Sequence, residues 1–144
     1  MIEPDTIKLL RECDAGIQMG IASIEDVLDD VKSDKMRNYL HTSKEKHEDL
    51  QHEVQALLES YHDDGKEPNP IAQTMSTLKT GMKLAMKDSD KTIADLMLDG
   101  CDMGVKSLSK YLNQYAAADE QSKNITKRLI KIEEDLGRQM REFL

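Results

Sequence analysis

The sequence predicts an all-α bundle made of two repeated helical hairpins, and three observations carry that expectation. A fragment occurs twice: Met19-Gly20-Ile21-Ala22-Ser23-Ile24 returns as Met103-Gly104-Val105-Lys106-Ser107-Leu108, and Glu48-Asp49-Leu50 returns as Glu134-Asp135-Leu136, at offsets of 84 and 86 residues. One Phe, four Tyr and no Trp, beside abundant Leu, Ile, Met, Lys, Glu and Asp, make a helix-rich composition. Apolar residues recur at steps of three and four over long stretches, the period of a helix with one buried face. A chain of 144 residues is long enough for a single domain with a true core.

The first helix is expected to start after Asp5, a good N-cap residue, and to run to about Lys32. Its apolar seam reads Ile7, Leu10, Ile17, Ile21, Ile24, Leu28 and Val31, with Asp14 in one slot. A second helix is expected from about Asp34 to His62, with the seam Met36, Leu40, Ser43, His47, Leu50, Val54, Leu57 and Tyr61. Neither Gly nor Pro separates the two. The turn is inferred from a break in phase, since the first seam, if continued, would land on Lys35 and Asn38.

His62-Asp63-Asp64-Gly65 and Pro68-Asn69-Pro70 then end the first hairpin, residues 5–62. In the crossover, residues 63–88, Ile71, Met75, Leu78, Met82 and Met86 mark a short amphipathic helix from Ile71 to Lys87, after an Asn69-Pro70 start. The second hairpin, residues 89–144, restarts at Ser89 as N-cap. Its seams are Leu98, Cys101, Val105, Leu108, Leu112 and Tyr115, then, after an Asp119 cap, Ile125, Leu129, Ile132, Leu136, Met140 and Phe143. Each hairpin exposes one apolar stripe, so pairing the two buries both. A connection of 26 residues is long enough to carry the chain back along the bundle, which predicts up-down-down-up topology with a pseudo-twofold axis.

A net charge of −8 with 33% charged residues suits a soluble protein and poorly suits one that coats nucleic acid or anionic lipid. Apolar runs fall short of a membrane span, and Met1-Ile2-Glu3-Pro4-Asp5 lacks the basic start and apolar core of a signal sequence. With Cys13 and Cys101 at non-equivalent places in the repeat and no CxxC pair, free thiols and a cytoplasmic location are expected.

The repeated hairpins and the long crossover resemble the ferritin-like four-helix-bundle superfamily, and within it the small uncharacterised bacterial branch that keeps the bundle and varies the metal site. The resemblance implies that fold over nearly the whole chain. Its di-iron centres need a Glu from each of two helices and a Glu-x-x-His from each of the other two. Here His41, His47, His52 and His62 all fall on the second helix. Glu59-Ser60-Tyr61-His62 sits at that helix's end, and Met19-Gly20 and Met103-Gly104 stand where the family would place Glu. The di-iron motif is degenerate.

One constellation remains. His47 lies in its seam, the repeat aligns it with Glu133, and both are roughly 14 residues from their own turns, hence at one level of the bundle. Asp14 is a further polar seam residue. His47, Glu133 and Asp14 are therefore the candidate ligands of one iron or manganese ion; alternatively His47 and Glu133 form a buried pair that fixes register. The glycine pairs Gly16/Gly20 and Gly100/Gly104 are expected to let helices approach. No catalytic triad, phosphate loop or Rossmann pattern occurs, which leans against an enzyme and against an obligate cofactor. The expected role is a non-catalytic binding or structural module, with metal storage, sensing or oxidation as the alternative. A second alternative is partner docking on Met75, Met82 and Met86 of the 71–87 helix, whose Lys79, Lys83 and Lys87 flank the apolar face. A homodimer and a protein partner are the expected associations, with neither nucleic acid nor membrane among them.

Overall fold

The computed structural model describes residues 3–63 and 89–144. They form four helices, α1 (Pro4–Leu28), α2 (Asp34–Ser60), α3 (Asp90–Gln114) and α4 (Glu120–Met140), followed by one 3-10 turn, Arg141–Phe143. The crossover helix with Met75, Met82 and Met86 lies outside the described residues.

Three of the four helix starts are fixed by short polar side chains. Ser33 accepts from the Met36 N–H at 3.2 Å, Ser89 from that of Thr92 at 3.3 Å, and Asp119 from that of Ser122 at 2.8 Å. α1 departs from expectation: it begins at Pro4, with Glu3 as an N-cap that makes no side-chain bond. Proline at the first position needs no N–H partner and presets φ. Asp5 is thereby released and accepts from the backbone N–H of Ala117 at 3.2 Å instead.

Hydrogen bonds between helix ends define the topology. The Asp90 carboxylate at the start of α3 accepts from the backbone N–H groups of Lys32 (2.9 Å) and Ser33 (2.8 Å) in the α1–α2 turn. At the other end, the backbone N–H of Asp119 in the α3–α4 turn donates to Thr6 at 2.9 Å. Arg11 of α1 holds Asp63, just past α2, and Tyr39 near the start of α2 donates to Glu142 beyond α4 at 3.1 Å. α1 therefore runs up, α2 and α3 down, and α4 up: an up-down-down-up four-helix bundle. α1 packs on α2, α3 on α4, α2 on α4, and α1 reaches across the middle to α4.

The interior falls into two apolar clusters, each fed by all four helices. The upper one centres on Ile24, Met36, Leu40, Ile93 and Met140, and the lower one on Leu10, Ile17, Val54, Ile125 and Leu129. Each of these side chains is at least 99% buried and stabilises the fold by roughly 1.5–3 kcal/mol. On α3 the buried stripe is Ile93, Ala94, Met97, Cys101 and Leu108, one position round from the predicted seam. Leu98, Val105, Leu112 and Tyr115 are only half-buried. Gly104 occupies the stripe between Cys101 and Leu108, and a glycine gives a hydrophobic pattern nothing to register.

Cys13 and Cys101 are free and buried. The Thr126 hydroxyl donates to the Ser122 carbonyl at 2.8 Å, so the Cys13 thiol donates to Thr126 Oγ1 at 3.2 Å. Burial pushes that thiol up to about 12, which leaves it without nucleophilic thiolate at neutral pH. Among the described residues no helix is long and apolar enough to cross a membrane.

Candidate functional site

Between the two apolar clusters lies a polar level. His47 of α2 is fully buried, and its Nε2 stands 2.8 Å from Glu133 Oε1 of α4. Its Nδ1 is 2.7 Å from the backbone carbonyl oxygen of Ser43, one helical turn back. A carbonyl can only accept, so Nδ1 carries a hydrogen. With Nδ1 carrying a hydrogen, a hydrogen bond across the Nε2–Oε1 contact is made when His47 is the imidazolium, Nε2–H donating to the Glu133 carboxylate. Burial pushes the His47 pKa down; the hydrogen bond and charge of Glu133, with help from the Ser43 carbonyl, outweigh it and hold the value above the ordinary one.

The other two helices meet this pair with glycine. A Cβ on Gly20 of α1 would lie 2.6 Å from His47 Nε2 and 2.8 Å from Cδ2, inside van der Waals contact. A Cβ on Gly104 of α3 would lie 3.4 Å from Glu133 Oε2. The two glycines the repeat aligns with one another thus make the space that the His–Glu pair occupies. Helix approach was the expected purpose of the glycine pairs; at Gly20 and Gly104 the close neighbours are instead these two side chains. Gly16 has only an ordinary contact, Leu129 at 3.7 Å from its would-be Cβ.

Small residues continue along the facing sides of α1 and α3: Ala15, Gly16, Gly20 and Ser23 against Gly100, Gly104 and Ser107. Too short to meet across the gap, they leave a cavity of about 120 Å³ between the two helices. Met19 and Met103 of those helices line it, with His47 of α2, Leu129, Glu133 and Leu136 of α4, and Glu12 and Tyr111. Met103 is 40% exposed although it is apolar. Burial, then the charge of Glu12 and hydrogen bonding to it, raise the pKa of the Tyr111 phenol. Cys101 also lines the cavity; burial, then the charge of Glu133 and a hydrogen bond to it, push its thiol well above the usual range.

Of the three predicted ligands, the structure brings two together. His47 and Glu133 touch, whereas Asp14 lies apart, in a polar cavity of about 570 Å³ with Gln18, Gln55, Glu59, His62 and Asp63. Asp14 is 3% exposed; its Oδ2 accepts from Gln18 at 2.9 Å, and its Oδ1 has no partner among the described residues. Burial raises its pKa against the opposing amides of Gln18 and Gln55. Among the described residues no three His, Cys, Asp or Glu side chains gather as a metal ion requires. Sequence reasoning missed the cavity and its Glu12, Met103 and Tyr111. The signal was present in the glycines aligned by the repeat at the level of His47, which spacing alone could not connect to a gap between α1 and α3.

The sequence matches no family model and no curated protein. Among solved structures, the chain is similar to the crystal structure of a DUF305 fragment from Deinococcus radiodurans, with a TM-score of 0.79 and 12% sequence identity. The match covers 98% of this chain and 95% of that one. At this identity the likeness shows the shared four-helix fold.

Proposed function

We propose that the protein is a non-catalytic binding module of ferritin-like descent whose site is the cavity between α1 and α3. The observation that supports this most is the facing rows of small residues. Ala15, Gly16 and Ser23 against Gly100 and Ser107 leave a partly open apolar cavity, while Gly20 and Gly104 make room for the buried His47–Glu133 pair that lines it. An apolar pocket with a few convergent polar groups is the ordinary form of a small-molecule site. A di-iron centre does not fit these residues: α2 and α4 supply one imidazole and one carboxylate, and α1 and α3 supply glycine where such a centre needs Glu.

The test is a titration with Nile red, a neutral dye that brightens in apolar surroundings, on the full chain and on Ser107→Phe, which places a ring in the cavity. Saturable binding by the wild type that is lost in the variant is expected; equal binding by both refutes the site. A single iron or manganese ion remains the second reading, favoured by one observation: the Ser43 carbonyl fixes the His47 tautomer as the outer partners of metal-bound histidines do. Elemental analysis after exposure to ferrous and manganous ions, with His47→Ala as control, decides it; metal at near-stoichiometric level that vanishes in the variant is the positive result. The further expectations of a cytoplasmic homodimer belong to the same proposal, and sedimentation at two protein concentrations checks the dimer.

A further inference from the structure

We infer that the cavity between α1 and α3 takes a neutral, unbranched hydrocarbon chain lying along the helices, and that Gly16 is the residue that keeps room for it. This rests on the cavity being a binding site, as proposed above, and adds the shape of the ligand. The first argument is the form of the space. Its lining runs along α1 from Glu12 to Ile24 and along α3 from Leu96 to Tyr111, which at 1.5 Å per residue is roughly 18 Å and 22 Å of helix. A sphere of about 120 Å³ is only roughly 6 Å across, so a space lined over three to four turns is drawn out along the two axes. Its walls are also stiff. Ala15, Gly16 and Ser23 face Gly100 and Ser107, side chains too short to swing aside for a wider group. The charged pair on the lining, His47 and Glu133, is bonded within itself, so the walls impose shape rather than charge.

The second argument is Gly16 itself. A glycine inside a helix weakens it relative to alanine. At Gly20 packing requires the glycine, because the His47 ring lies 2.6 Å from the would-be Cβ. At Gly16 packing does not: the added carbon would meet only Leu129, at an ordinary 3.7 Å. Alanine would fit the bundle and strengthen the helix, so what Gly16 serves is the volume that a methyl would take from the cavity. Volume limits the ligand too. An apolar cavity of about 150 Å³ holds benzene, so about 120 Å³ encloses roughly five or six carbons. In an unbranched chain those carbons lie in single file, whereas a quaternary carbon needs width on every side and overpacks the space between the two helices.

The experiment is calorimetric titration of the full chain with 1-hexanol and 3,3-dimethyl-1-butanol, isomers that carry the same hydroxyl and differ in shape. 1-Hexanol is expected to bind at least about tenfold more tightly, which corresponds to about 1.4 kcal/mol. Gly16→Ala should be at least as stable as the wild type in urea yet bind 1-hexanol about fourfold more weakly, the worth of about one excluded methylene. Ser107→Phe should bind neither alcohol. Equal binding of the isomers, or tighter binding of the branched one, overturns the unbranched-chain assignment, and leaves the cavity as a site where Ser107→Phe abolishes it. Unchanged 1-hexanol affinity in Gly16→Ala overturns the role of Gly16; a destabilised Gly16→Ala shows that packing requires the glycine and overturns it too. Nile red binding with neither alcohol bound overturns the chain as ligand, and the absence of all three removes the site itself.

Discussion

At the scale of single residues, two glycines that the repeat aligns with one another are in unequal positions. Gly20→Ala gains helix propensity of about 1 kcal/mol, but its methyl would sit 2.6 Å from His47 Nε2, on a ring held from both sides. The ring cannot retreat without breaking a bond, so a net loss of about 1–3 kcal/mol is expected, the usual cost of overpacking. Gly104→Ala meets only Glu133 Oε2, at 3.4 Å, on a longer and more adaptable side chain. It should be neutral or stabilising by up to about 1 kcal/mol. Urea unfolding of the two variants side by side checks the contrast. The His47 proton makes a second prediction. The folded His47 binds its proton more tightly than the unfolded one, so its contribution is fully present below the ordinary histidine value of about 6.5 and is lost as pH climbs through the raised folded value. Cys101 of α3 and Glu133 of α4 are the other titratable groups at the pair, and α1 presents only Gly20. Stability measured from about pH 6 to pH 9 should therefore fall, and Glu133→Gln should flatten the slope; an unchanged slope would assign the pH dependence elsewhere.

At the scale of the elements, one carboxylate makes two of the bonds that tie the hairpins together. Asp90 accepts from two backbone N–H groups of the α1–α2 turn, at 2.8 and 2.9 Å, which are left without these partners if it is removed. Hydrogen bonds to a charged group are worth about 1.5–3 kcal/mol. Asp90→Ala should cost about that much, while Asp119→Ala, which removes one helix cap, should cost about 1 kcal/mol. Thermal unfolding ranks the two. Caps of this kind are also what made the elements legible: Ser89 and Asp119 were readable as starts because a short polar side chain preceded each periodic stretch. α2 was readable from its phase break, and its stripe through Met36, Leu40, Ser43, His47, Leu50 and Val54 is buried as the spacing predicts. The stripe of α3 was not readable, because Gly104 interrupts it and Ala94 contributes little to a hydrophobic pattern. Within the site, His47 and Glu133 were found as a pair because both lie at one level of the repeat. Asp14 was grouped with them because seam position says which face a residue takes but not which neighbour it meets. Periodicity resolves one helix at a time, whereas a cavity is a property of two.

At the scale of the whole molecule, the core is divided. A polar level made of His47, Glu133, Gly20 and Gly104 separates the upper and lower apolar clusters. If that level served stability, its removal in any form would weaken the bundle. Electrostatics argues the opposite. A buried ion pair loses hydration that its mutual attraction only partly restores, and replacing both members with apolar residues of similar size is often neutral or stabilising by about 1–4 kcal/mol. Removing one member alone leaves a buried group without its partner and costs about 3–5 kcal/mol. His47→Leu and Glu133→Met should therefore each destabilise the protein, while the double variant should be at least as stable as the wild type, because Leu and Met would join the two clusters into one. Equilibrium unfolding of the three variants and the wild type closes the cycle, and a double variant weaker than either single one would show the pair to be structural. Titrating the double variant with Nile red completes the argument: a more stable bundle that no longer binds the dye would show that the division of the core is retained for binding, and a more stable bundle that still binds would separate the polar level from the site.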